Sequence, residues 1–166
     1  MAAVMAICSI ITIPLPFTPV PINLGLLGVF LAGGLLGPAQ GTISIVIYIA
    51  LGAAGLPVFS GMRGGLGILI GPTGGYIAGF VAAAFVCGFL CKKKTDYPHL
   101  FFSFFTATVV CYLLGTLWFV ISGGSQSFYG ALSLCVFPFI PGDLLKICLS
   151  CFLVKRLRNI IRSLDL

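Results

Sequence analysis

Charged residues are scarce in this sequence, and their scarcity excludes an ordinary soluble domain. Only 7% of its 166 residues are Asp, Glu, Lys or Arg, whereas 60% are hydrophobic. The mean hydropathy is +1.21. Soluble domains carry about 25% charged residues, and a chain of this length is too short to bury so much apolar surface in its own core. The composition therefore predicts an integral membrane protein.

Acidic residues and histidine are rarer still, which removes most kinds of catalytic site. The chain has three acidic residues, Asp96, Asp143 and Asp165, and a single histidine, His99. Asp96 adjoins a lysine cluster and Asp165 lies near the C-terminus, so paired-carboxylate catalysis lacks its parts. The seven cysteines are odd in number and scattered through apolar runs, and we interpret them as small buried side chains. We expect no metal and no cofactor.

Long apolar runs are abundant, and they predict a bundle of six transmembrane helices. Each run is apolar on all sides, unlike the alternating strands of a membrane barrel, and a spanning helix needs about 20 such residues. The predicted helices cover residues 1–13, 24–37, 42–54, 75–91, 100–122 and 131–157. The second ends near Gly37-Pro38 at a tight turn, and Pro138 and Pro141 break the first half of the last. The connecting segments are the proline-rich stretch 14–22, the glycine-rich stretch 55–74 and the polar loop 123–130.

Basic residues set the expected orientation of this bundle. One basic cluster, at 92–94, follows the fourth predicted helix, and another, within 155–162, ends the last. Because cytoplasmic flanks of membrane helices are rich in Lys and Arg, six crossings place both clusters and both termini in the cytoplasm. Arg63 is then the one cation outside, apart from Lys146 within a helix. These flanks account for the net charge of +6 without nucleic-acid binding.

Two charged residues, Asp143 and Lys146, lie inside the apolar run PFIPGDLLK (138–146). An ionisable residue at membrane depth is costly and indicates a functional site. Their i, i+3 spacing puts them on one helix face, and Asp143 follows Pro141-Gly142, in a first turn where the helix dipole favours an anion. The alternatives are an ion pair that only neutralises itself, or an intramembrane enzyme with Lys146 as base or nucleophile. These residues alone predict a bundle that binds or transports a small molecule.

Small residues recur at a spacing of four, which lets helix backbones approach closely in lipid. The pairs are Ala2 and Ala6, Gly75 and Gly79, and Ala84 and Gly88. Packing within the bundle is favoured over a partner interface for any one pair. The glycines at 64–67 match neither a Walker motif nor a dinucleotide-binding fingerprint, so we do not interpret them as a phosphate loop.

Four motifs in order resemble the BioY family, the biotin-specific S components of energy-coupling factor (ECF) transporters. They are PFTPVPI (16–22), GLPVFSG (55–61), GGLGILIGPTGGYIAGF (64–80) and PGDLLK (141–146). The resemblance spans residues 14–150. It implies that residues 1–166 form one membrane-embedded substrate-binding domain of the cell membrane, a six-helix bundle that is not an enzyme and binds biotin near the extracellular face. An S component for another small vitamin is the nearest alternative.

The resemblance also assigns roles to individual residues. The Asp and Lys of the family's PGDxxK motif contact biotin, and here they match Asp143 and Lys146. A carboxylate accepts hydrogen bonds from the two ureido N–H groups of biotin, and an ammonium donates to its carbonyl. Tyr76 and Phe17 are candidates for packing against the apolar rings and the valeryl chain.

Partner subunits are implied as well. The family works with an ECF transmembrane coupling protein and cytoplasmic ATPase subunits, and this chain has no ATPase motif of its own. Ala2 and Ala6 match the A-x-x-x-A stretch that docks the coupling protein. One departure concerns the ligand side: family members often continue PFTPVPI with a Thr and, two residues on, a Gln, whereas this chain has Asn23 and Gly25. Any polar contact from that Gln is lost or moved.

Overall fold

The computed structural model describes residues 1–14, 16, 20–92, 95–123 and 127–164. Its elements in chain order are α1 (Ala2–Ile10), β1 (Thr12–Ile13), β2 (Ile22–Asn23), α2 (Gly25–Ala53), α3 (Leu66–Ile70), α4 (Gly74–Cys91), α5 (Tyr97–Ile121), α6 (Phe128–Cys135), a 3₁₀ turn (Phe137–Phe139) and α7 (Ile140–Leu164). The helical stretches long and apolar enough to cross a membrane are Gly25–Ala53, Gly74–Cys91, Tyr97–Ile121 and Phe128–Ile161. The predicted helical membrane class is therefore confirmed.

Helix α2 is interrupted at Gly37, and the chain reverses direction there. Gly37 has φ +79° and ψ −174°, a conformation that glycine adopts readily and other residues rarely do. A Cβ atom built on Gly41 would lie 2.8 Å from the carbonyl oxygen of Ala32, whereas residues nine apart in a straight helix are separated by about 13 Å. The two halves of α2 therefore pack side by side, joined by the Gly37-Pro38 turn that the sequence predicts.

Small residues bring α4 into backbone contact with its neighbours. A Cβ on Gly33 would lie 2.7 Å from the Ala84 carbonyl oxygen, so the first half of α2 crosses α4 at these residues. On the opposite side, Gly79 faces the backbone of Cys111 in α5. Two of the pairs spaced by four residues thus serve packing inside the bundle, where such spacing permits close helix crossings.

Substitution of Gly88 tests this close packing. A Cβ there would lie 2.6 Å from the carbonyl carbon of Gly37 and from the nitrogen of Pro38, backbone atoms that cannot rotate away. We expect Gly88→Ala to lower the free energy of unfolding by about 1–3 kcal/mol, the usual cost of overpacking. The matched control is Gly67→Ala, where nothing lies within 4 Å of the added methyl. Equal unfolding midpoints for the two variants in one detergent, followed by circular dichroism, would contradict the packing argument.

The connecting segments hold more regular structure than the sequence predicts. The first helix ends at Ile10 instead of residue 13, and β1 pairs with β2 in an antiparallel register, Thr12 opposite Asn23 and Ile13 opposite Ile22. The glycine-rich stretch 55–74 contains the short helix α3. The strand pairing joins the two sides of the proline-rich segment, a contact that local patterns do not reveal.

The last apolar run is broken where its prolines predict. Helix α6 ends at Cys135, Val136 leaves the helical region with φ −124° and ψ −59°, and the 3₁₀ turn containing Pro138 follows. Helix α7 then restarts at Ile140, with Pro141 in its first turn, a position that tolerates proline because the first amides of a helix have no partner. Because of this break, Asp143 lies in the first turn of α7 and not in the middle of one long helix.

One end of the bundle carries the basic residues. The guanidinium of Arg158 donates from Nε to the Gly34 carbonyl oxygen (2.7 Å) and from Nη1 to that of Cys91 (2.9 Å). Nζ of Lys155 lies 3.7 Å from the centre of the Tyr97 ring. Arg158 therefore joins two helix ends whose last carbonyls lack helical partners. Of the predicted cluster at 92–94, residues 93 and 94 lie outside the described residues.

Candidate functional site

Asp143 and Lys146 form a buried ion pair on α7. Lys146 Nζ lies 2.5 Å from Asp143 Oδ1, and the residues are 8% and 4% exposed. The i, i+3 spacing places both on one face of α7, as the sequence predicts. The first-turn position of Asp143 also brings it to the positive end of the helix dipole. Two opposite charges at this depth form a neutral pair that still presents hydrogen-bonding groups.

A tyrosine on another helix forms a hydrogen bond with this ion pair. The hydroxyl of Tyr112, in α5, donates a hydrogen bond to Oδ2 of Asp143, while Lys146 donates to Oδ1. The carboxylate is thus held from two helices. Sequence reasoning missed Tyr112, although one signal was present: a phenol, which needs a hydrogen-bond partner when buried, in the otherwise apolar segment VVCYLLG (109–115).

A small cavity of about 60 Å³ opens onto the ion pair, and a larger one of about 340 Å³ adjoins it. The residues that line both cavities are Val20, Pro21, Asn23, Tyr76 and Phe80. The larger volume falls within the range of about 300–1,000 Å³ usual for small-molecule sites. A ligand with a polar head and an apolar chain would find the charged pair at one end and mostly apolar walls at the other.

Of the residues predicted for the ligand site, Tyr76 stands in the wall between the two cavities. Its ring faces both, and its hydroxyl lies 3.1 Å from Oγ1 of Thr116. Tyr76, Asp143 and Lys146 are therefore brought together. Phe17 lies outside the described residues. Ala2 and Ala6 are half-buried on α1, pack against the core and line neither cavity.

Asn23 is the polar residue of the shared wall. Its amide Nδ2 lies 2.5 Å from Ser60 Oγ, and its Oδ1 accepts a hydrogen bond from the Gly25 amide at 2.8 Å, near the start of α2. This side chain joins β2 to the segment before α3. The departure from the family pattern at this position therefore keeps a polar group beside the cavities.

Arg63 supplies a positive charge to the larger cavity. Its side chain is exposed and lines this cavity, and its backbone forms a bridge with Phe59. The sequence singled out Arg63 as an isolated cation but gave it no role. Among the described residues, no group of three or more His, Cys, Asp or Glu side chains is arranged to hold a metal ion.

The fold and these cavities define a helical membrane protein with a buried ion pair that lines an internal cavity. The chain belongs to the BioY family, which it matches over residues 1–163. "Biotin transporter BioY" of Thermotoga maritima is 37% identical, covering 89% of this chain and 86% of the relative. The protein of that name from Rhodobacter capsulatus is 40% identical, covering 88% and 82%.

A solved structure has the same fold. It is described as the crystal structure at 2.1 Å of the S-component for biotin from an ECF-type ABC transporter. The TM-score is 0.86 at 35% sequence identity, with 95% of this chain and 86% of that chain covered. The family resemblance noted in the sequence motifs is confirmed.

Proposed function

We propose that this chain is a biotin-binding S component that captures the vitamin for uptake across the cell membrane. The observation that carries the proposal is the buried Asp143–Lys146 pair in the lining of a cavity within the bundle. The solved relative is described as an S-component for biotin, and the sequence relatives are named as transporters. The chain is accordingly a transport protein and not an enzyme, and biotin is its cargo instead of a cofactor.

The chemistry of biotin suits the pair. The ureido ring presents two N–H donors and a carbonyl acceptor, which complement the Asp143 carboxylate and the Lys146 ammonium. In this arrangement the ureido edge of the head group faces the smaller cavity and the ion pair, and the rest of the molecule extends into the larger cavity, past Tyr76. Phe17 remains a proposed second packing partner.

Arg63 is then the partner for the carboxylate at the end of the valeryl chain. We expect Arg63→Gln to weaken biotin binding about tenfold, a modest loss because the guanidinium is exposed and the interaction is screened. Isothermal titration calorimetry with biotin and with its uncharged methyl ester compares two ligands of similar shape that differ in the charge of the carboxylate. The parent should prefer biotin over the ester, and the variant should bind both alike. Lys155→Gln, which removes a cation elsewhere, is the control; an unchanged preference in Arg63→Gln would contradict this role.

The six-helix count is part of the proposal. With α2 divided at Gly37, the crossings are α1, the two halves of α2, α4, α5 and the run from α6 to α7. Both termini then face the cytoplasm, together with Lys92 and Arg158. A C-terminal fusion to green fluorescent protein should fluoresce and one to alkaline phosphatase should be inactive; the reverse result would overturn this orientation.

We also propose partners that supply energy. An ECF transmembrane coupling protein and cytoplasmic ATPase subunits would drive release, since the chain contains no Walker motif. Ala2 and Ala6 on α1 are the proposed docking residues, because small side chains allow a second helix to approach closely. Replacement of Ala6 by Leu should abolish co-purification with a coupling protein while leaving biotin binding intact; retained co-purification would exclude this site.

Equilibrium binding of labelled biotin to the purified protein in detergent tests the function directly. We expect saturable binding that unlabelled biotin displaces and that thiamine and riboflavin do not, with the vitamin recovered unchanged. Displacement by another vitamin would identify a different cargo. Absence of binding by a folded protein would overturn the proposal.

A further inference from the structure

Both oxygens of the Asp143 carboxylate are engaged from within the protein. Lys146 reaches Oδ1 from the same helix, one turn on, and Tyr112 reaches Oδ2 from α5, 31 residues earlier in the chain. A single partner on the same helix leaves the carboxylate plane able to rotate, because the terminal torsion of an aspartate is broad. The second partner, on a different helix, fixes that plane relative to the cavity.

Capacity for a ligand remains after both bonds are made. An ionised carboxylate offers about four lone-pair sites on its two oxygens, and Tyr112 and Lys146 occupy one on each. The remaining sites accept N–H donors from a ligand in the small cavity, which Asp143, Lys146 and Tyr112 all line. Because the carboxylate is already oriented, a ligand does not bear the cost of ordering it on binding.

We propose that Tyr112 is a positioning residue for ligand binding: it orients Asp143 from α5 and does not itself bind the N–H groups. This inference rests on the proposed function, since the N–H donors are those of the ureido ring. In an opposing arrangement the ligand displaces the tyrosine hydroxyl and takes over its site on Oδ2. The two arrangements predict opposite effects of removing that hydroxyl.

The test compares Tyr112→Phe with Tyr97→Phe, a tyrosine on the same helix that lines neither cavity. We expect Tyr112→Phe to weaken biotin binding about tenfold, because the ligand then bears the cost of ordering the carboxylate, and Tyr97→Phe to leave it unchanged. Unchanged or tighter binding by Tyr112→Phe would overturn the inference, the latter by favouring displacement.

A spectroscopic readout separates positioning from a general loss of structure. The sequence has only three acidic residues, so Asp96→Asn combined with Asp165→Asn leaves Asp143 as the single side-chain carboxylate. In protein labelled with ¹³C-aspartate and free of ligand, the infrared stretching band of the Asp143 carboxylate should shift in Tyr112→Phe. The same band should not shift in Tyr97→Phe. Weakened binding with an unmoved band would overturn the positioning role.

The proposed function and the role of Tyr112 can be overturned separately. If the folded parent does not bind biotin, the proposed function is overturned and the ligand part of the inference with it. If the parent binds biotin and Tyr112→Phe binds it equally well, only the role of Tyr112 is overturned.

Discussion

Lys146→Met should weaken biotin binding strongly and also destabilise the protein, the largest combined effect that the structure predicts. The substitution removes the ammonium that donates to the ureido carbonyl, and hydrogen bonds to charged groups contribute about 1.5–3 kcal/mol. It also leaves Asp143, at 4% exposure, without its ion-pair partner, and breaking a buried pair in this way costs about 3–5 kcal/mol. We expect affinity to fall by about 100-fold or more.

The double variant Asp143→Asn, Lys146→Met separates the two effects. Because both charges are removed together, no uncompensated charge remains, and such replacements are often neutral or stabilising. Its unfolding midpoint should return to near that of the parent while biotin binding stays at least as weak as in Lys146→Met. Parent-like affinity in a folded Lys146→Met protein would sink the assignment of the site to this pair.

Arg158→Gln should lower the free energy of unfolding by about 3 kcal/mol, the second large effect. Arg158 is half-buried and donates to two carbonyls, those of Gly34 and Cys91, at 2.7 and 2.9 Å. Each bond from a charged donor contributes about 1.5–3 kcal/mol, and both acceptors lie near C-terminal helix ends, where a cation is favoured by the dipole. Glutamine is too short and uncharged to replace both bonds.

A neighbouring arginine provides the control for this prediction. Arg156 is exposed, and its guanidinium carbon lies 5.9 Å from the ring centre of Phe152. Arg156→Gln makes the same chemical change with little loss of contact, so its unfolding midpoint should match that of the parent. Equal destabilisation by both substitutions would show that net positive charge, and not the bridge between helix ends, is responsible.

Sequence reasoning succeeded where one local signal was sufficient. Apolar runs predicted the helical membrane class, Gly37-Pro38 the interruption of α2, and the i, i+3 spacing the ion pair on one face of α7. Six of the seven cysteines are buried, in agreement with their interpretation as small buried side chains, whereas for Cys148 that interpretation is wrong because it is exposed on α7. Each of these properties is set within a single segment, by solvent, backbone conformation or helix period.

The remaining features depend on which segments meet in space. Nothing local indicates that Tyr112 faces Asp143, that Asn23 reaches Ser60, or that two residues on either side of the proline-rich segment pair as strands. Those contacts join residues 31 and 37 positions apart in the first two cases. They follow from helix packing, which the sequence constrains through its small residues without specifying which partner each helix takes.

The spacing of Asp143 and Lys146 also bears on how the protein enters the bilayer during synthesis. Each lone charge on an inserting helix costs up to about 2.5–3.5 kcal/mol on translocon scales, the value at the helix centre. Because the partners are one turn apart on α7, they can neutralise each other within that helix before it meets any other. Tyr112 lies on α5 and joins only when helices associate. Insertion of the ion pair and formation of the binding site are thus separate events. The pair enters the bilayer with its own helix, and the cavity forms only when the bundle assembles.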